Sequence, residues 1–149
     1  MSLICKILTC LLTVMGISAC GTVAQPDWEF SGEDAEPEQI AFDQQTYDHG
    51  VNVYLDAYCG VCHQLDAAAS RGEFGPDLSL IAAVAPARYN DPNYSGSATD
   101  ATAYILESIL YPKEYFVPTY AASAHAMPAF THLSETDLDA LLYMLSQQK

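Results

Sequence analysis

Cys59, Cys62 and His63, in the run Tyr58-Cys59-Gly60-Val61-Cys62-His63, constrain this chain more than any other feature. A CxxCH run is the attachment signature of a c-type haem: two thiols three residues apart can add to the two vinyl groups on one porphyrin edge, and the adjacent imidazole then reaches the iron. Two other chemistries use similar residues. A zinc half-site needs a second ligand pair, and a thioredoxin-like redox pair needs a βαβ pattern around it. There is no second pair, because Cys5, Cys10 and Cys20 all lie in the first twenty residues.

Those first residues read as an export signal. Lys6 supplies a positive region and Ile7 to Ile17 an apolar stretch too short to span a bilayer as a helix. The stretch ends in Ile17-Ser18-Ala19-Cys20, which resembles the lipobox of bacterial lipoproteins, with residues 1–19 as the signal peptide and Cys20 as the lipidated new N-terminus. An ordinary signal peptide with an incidental cysteine is the other reading. The cysteine arithmetic favours lipidation: Cys5 and Cys10 leave with the signal, Cys20 carries lipid, Cys59 and Cys62 hold haem, and no thiol is left over. An uncleaved signal anchor fits poorly, since acidic residues follow in place of a stop-transfer cluster of Lys or Arg. Several acyl chains on one residue make a firm anchor, so the expected protein is exported and held to the membrane, not spanning it.

From Gly21 to about Gln44 the chain has no apolar period and carries Asp27, Glu29, Glu33, Asp34, Glu36, Glu38 and Asp43 together with Pro26 and Pro37. Residues 20–44 therefore read as an acidic flexible tether, of root-mean-square span on the order of 25–30 Å before charge repulsion stretches it. Packing of Trp28 and Phe30 would make it an ordered strap instead. Residues 45–149 then form one domain with one core. Its signals are helical: Tyr47 to Tyr58 running into the CxxCH motif, a short helix from Leu78 to Ala85 stopped by Pro86, Ala101 to Leu110 ending before Pro112, and Glu135 to Gln147. Ser134 is a good N-cap for the last, with Glu135, Asp137 and Asp139 near the positive end of its dipole. Nothing argues for a sheet. The expected class is all-α, about three to five helices around one haem.

In this arrangement the domain resembles a class I cytochrome c. The motif stands at the end of a first helix, a Met-Pro step lies far downstream, and a final helix rich in Leu and Tyr follows. The resemblance implies the small cytochrome c fold, one covalent haem c, and a crossing of first and last helices in which Gly50 and Tyr54 meet Tyr143. It also supplies a second axial ligand. Met1 and Met15 leave with the signal, and Met144 sits among Leu141, Leu142 and Leu145 as core, which leaves Met127 in Ala126-Met127-Pro128. The family's distal methionine sits in such a step, so Met127 takes that role, with His125 the rival for a bis-histidine iron of lower potential. His49 and His132 have no ligand role.

Gly75-Pro76-Asp77-Leu78 is similar to the family's Gly-Pro-x-Leu turn, which implies that the Pro76 carbonyl accepts a hydrogen bond from the second ring nitrogen of His63. Arg71 is open between neutralising a haem propionate and standing as a solvated charge. The long connection from Pro86 to Asp100 carries Tyr89 and Tyr94, which cover a haem edge, dock a partner, or answer only to turn chemistry. Some of Tyr111, Tyr115, Phe116 and Tyr120 should wall the pocket.

All 19 acidic residues lie after Cys20, against Arg71, Arg88, Lys113 and Lys149, leaving a mature net charge near −15. That excludes nucleic acid as a ligand and favours a basic redox partner or a membrane complex with positive docking surfaces. The expected function is one-electron transfer in a respiratory or photosynthetic chain on the outer face of the cytoplasmic membrane or in the periplasm, without a substrate of its own. The alternative is a haem-based sensor or catalyst with an open sixth site.

Overall fold

A computed structural model describes residues 41–149. The expected signal peptide, Cys20 and the expected tether up to residue 40 lie outside the described residues. Helix α1 spans Gln44–Asp56, starting three residues before the expected Tyr47. Asp43 explains the early start: its carboxylate accepts hydrogen bonds from the amides of Gln45 (3.0 Å) and Thr46 (3.1 Å), an N-cap that the acidic run had hidden. Phe42 packs near the rings of Tyr47 and Tyr143, and the Asp43 amide donates to the Tyr143 hydroxyl at 2.7 Å. The last residues of the expected tether thus belong to the domain.

Helix α2 spans Ile81–Tyr89 and runs through Pro86, where a stop was expected. Proline removes one helix hydrogen bond, to the Ala82 carbonyl, but Pro86 is on the exposed side. Ile81 and Ala85 are buried and keep the helix pressed on the core across the break. Helix α3, Ala101–Leu110, and α4, Glu135–Ser146, lie where the sequence put them. Ser134 caps α4 by accepting from the Asp137 amide at 3.1 Å. Asp100 caps α3 in the same way, from the Ala103 amide at 2.8 Å.

One short ladder departs from the helical reading. Strand β1, Gln64–Leu65, pairs antiparallel with β2, Ser70–Arg71, in the register Gln64 to Arg71 and Leu65 to Ser70. Two-residue strands leave no periodic signal, so the sequence could not announce them.

The most extensive packing is between α1 and α4. Gly50 sits at the crossing, where an added Cβ would collide with the Ala140 carbonyl and Met144 Cβ. Glycine is there for close approach of two backbones, as expected, but the residues it meets are Ala140 and Met144, not Tyr143. Tyr143 is used instead to hold Asp43. Val53, Tyr54, Leu65, Ile81, Tyr104, Ile105, Ile109, Leu141, Met144 and Leu145 make one hydrophobic cluster, with Met144 fully buried. Among the described residues, no helix is long and apolar enough to cross a membrane.

Candidate functional site

Helix α1 stops at Ala57, and Tyr58 turns the chain in the left-handed region (φ 58°). Non-glycine residues seldom adopt it. A 3₁₀ turn over Cys59–Val61 follows, and the amides of Cys62 and His63 both bond the Cys59 carbonyl, at 3.2 and 3.0 Å. This tight turn brings both thiols and the imidazole to one wall of a cavity of about 420 Å³. Cys59 and Cys62 are not bonded to each other. Before haem is attached, burial pushes the Cys59 thiol up to about 11, which keeps it protonated.

His63 is fixed at four points. Its amide bonds Cys59, its carbonyl accepts from the hydroxyls of Tyr54 (3.0 Å) and Ser70 (2.9 Å), and its Nδ1 lies 2.8 Å from the Pro76 carbonyl. A carbonyl can only accept, so Nδ1 carries the proton and Nε2 presents its lone pair. Burial holds the imidazole below its usual value, with the nearby Arg88 charge adding to that, while the Pro76 hydrogen bond opposes it. Pro76 is put there by the segment alongside: the Gly75 amide bonds the Cys62 carbonyl at 2.8 Å and the Leu78 amide the Gln64 carbonyl at 2.9 Å. At Gly75 any Cβ would run into the His63 ring.

Met127 and His125 both line the cavity. Met127 is half-buried; His125 is exposed, with its ring 4.5 Å from that of Phe74. Tyr94, Tyr111, Tyr115, Phe116 and Tyr120 line it too, and Tyr89 does not. His49 pairs with Asp137 at 2.8 Å, His132 lies beside Phe130, and neither reaches the cavity. Arg71 is an exposed partner of Asp66, at 3.0 Å, away from the cavity. The cation that does line it is Arg88, at the end of the helix that runs past Pro86. The sequence reading stopped that helix at Ala85 and so missed Arg88.

The cavity suits a large flat apolar group. Val61, Phe74, Tyr111 and Phe116 are each about half exposed or more, yet all line it, which is a poor use of large apolar side chains in a small domain unless something covers them. The lining offers two thiols, an imidazole nitrogen with a lone pair, a thioether and one guanidinium, a donor set that fits a porphyrin carrying iron and carboxylates.

The comparison with protein families agrees with that geometry: the family model described as Cytochrome c matches residues 47–149. The chain belongs to the cytochrome c family. No curated protein and no solved structure matches it significantly. The cofactor of this cytochrome is haem c, covalently bound, and the four α-helices with one short ladder among the described residues are the small all-α fold of that family. Haem-based electron transfer is the activity that the family assignment supports.

Proposed function

We propose that this cytochrome is of class I, an exported mono-haem carrier that is held to a membrane by lipid on Cys20 and passes single electrons between redox proteins. In this reading Cys59 and Cys62 carry the thioether bonds, His63 Nε2 and Met127 bind the iron, and Pro76 orients the imidazole. The haem supplies a reversible ferrous–ferric couple when bound. The protein supplies what surrounds it. The Pro76 carbonyl holds the Nδ1 proton and makes the other nitrogen a better donor. The apolar wall keeps water away, and Arg88 puts one positive charge in the lining. The observation that carries the proposal is that His63, locked in one tautomer, and Met127 open on the same cavity. With His63 and Met127 both holding the iron, no position would be left for a substrate, and the protein would act as a carrier and not as an enzyme.

The acidic surplus supports a partner with a basic docking surface, and the lipobox-like Ile17-Ser18-Ala19-Cys20 supports the outer face of a cytoplasmic membrane or the periplasm. A respiratory or photosynthetic chain is the setting, as a tethered shuttle or a complex subunit. The optical spectrum of the reduced protein tests the core of this reading: a six-coordinate low-spin haem that ignores carbon monoxide is expected. Met127→Ala should abolish the weak iron–sulfur band and lower the potential on the order of 100 mV or more. Loss of that band in His125→Ala instead overturns the ligand assignment, and a high-spin parent overturns the carrier. Mass spectrometry of the N-terminus should find a lipidated Cys20.

A further inference from the structure

The segment between α2 and α3 is built on one carboxylate. Glu107, on α3, accepts through Oε2 from the Ser97 amide (2.8 Å) and the Ser97 hydroxyl (3.1 Å), and through Oε1 from the Tyr94 hydroxyl. Tyr94 in turn accepts from the Ala98 amide at 2.8 Å. Gly96 completes the seat, since a side chain there would overlap the Glu107 carboxylate. The ring of Tyr94 lies tilted against Tyr104 at 6.0 Å and edge-on to Tyr115 at 5.8 Å, and all three rings, with Glu107 itself, line the haem cavity. Glu107 also lines the neighbouring surface hollow formed by Ser95–Thr99 and α3, so it stands in the wall between that hollow and the haem.

We infer that Glu107 is a positioning and potential-setting residue: it pins the 94–98 wall of the haem pocket and keeps a negative charge in the lining of that pocket. Burial opposes its ionisation, but the hydrogen bonds from Ser97 and Tyr94 outweigh that and hold the carboxyl below its usual value, so the charge is present throughout the neutral range. Glu107 is partly exposed, but its carboxylate borders the apolar haem pocket, and a negative charge there favours the ferric over the ferrous state. Tyr94 moderates it, because its hydroxyl lies on the carboxylate oxygen and spreads the charge.

The inference rests on a reversible iron couple and fails separately from it. The test is the midpoint potential of the intact holoprotein and two variants, measured by titration with mediators. Glu107→Gln keeps the shape and removes the charge, and should raise the potential; the equilibrium should move toward ferrous about tenfold, equivalent to 59 mV for one electron. Tyr94→Phe keeps the charge and removes one donor, and should lower the potential. Opposite signs support the role. No upward shift in Glu107→Gln, or the same sign in both, as loosened packing alone would give, overturns it. If Glu107→Gln does not retain haem, Tyr94→Phe decides: a downward shift supports the role and any other result overturns it. Absence of any reversible couple in the parent protein would instead overturn the carrier reading.

Discussion

Replacing Gly50 by alanine is the sharpest test of how the domain is held together. A methyl group at that position would enter the space of the Ala140 carbonyl and of Met144 Cβ. The first is main chain and cannot rotate away, so α1 has to lift off α4 along its most extensive contact. Overpacking of this kind costs about 1–3 kcal/mol, and rigid neighbours place the cost at the upper end. Alanine returns about 1 kcal/mol through helix propensity, because glycine is the poorer residue in a helix interior. The net expectation is destabilisation by about 1–2 kcal/mol. In a domain of this size each kcal/mol moves Tm by roughly 4–8 °C, so the melt should fall by about 5–15 °C. Thermal unfolding of the holoprotein followed by far-ultraviolet circular dichroism measures it, with Asn52→Ala, exposed on the same helix, as the control. The covalent haem is common to both proteins, so ligand concentration does not enter the comparison. A Gly50→Ala protein as stable as its parent would refute the reasoning, because propensity alone predicts a gain.

Other outcomes follow from the same contacts. Tyr54→Phe removes a buried hydroxyl that donates to the His63 carbonyl, and should cost about 1 kcal/mol in guanidinium unfolding, since Ser70 still satisfies the carbonyl. Gly75→Ala should leave the far-ultraviolet spectrum in place while shifting the haem absorption bands, as its methyl displaces the His63 ring; unchanged bands would contradict the packing. Asp43, Asp77, Asp91 and Asp137 are held below the usual 3.8 chiefly by hydrogen bonds from Thr46, Ser79, Asn93 and Ser134 respectively. Carboxyls depressed on folding stabilise above their unfolded value and lose that contribution as pH falls through the folded values. Tm should therefore hold from neutral pH down to about 5 and drop below about 4, with a shallower drop in Asp137→Asn; a Tm that rises on acidification would contradict this.

Much of the fold was legible because its elements carry local signals. The CxxCH run marked the site, Ser134 marked the start of α4, and Pro112 marked the limit of α3. Where the sequence misled, a contact it does not display outweighed the local rule. Pro86 is a stop signal in isolation, but burial of Ile81 and Ala85 carries the helix across it, and with it Arg88 into the cavity lining. Asp43 looked like one more charge in an acidic run, and only its bonds to Gln45 and Thr46 distinguish a cap from a solvated side chain. Glu107 gave no signal at all. Its partners Tyr94 and Ser97 are ten or more residues away, joined to it by the shape of a loop that turn chemistry alone does not specify.

The two residues proposed to hold the iron are anchored very differently. His63 is bound through its amide, its carbonyl and its ring to four separate parts of the chain, so pulling it away means opening α1, the ladder and the Gly75–Leu78 turn together. The stretch from Ala121 to Ala129 is mostly exposed and held by few internal bonds. Opening free energy is lowest where such bonds are few. In the proposed ligation, exchange of an iron ligand by heat, alkali or an added small molecule would therefore begin at Met127 and leave the histidine in place until the whole domain comes apart.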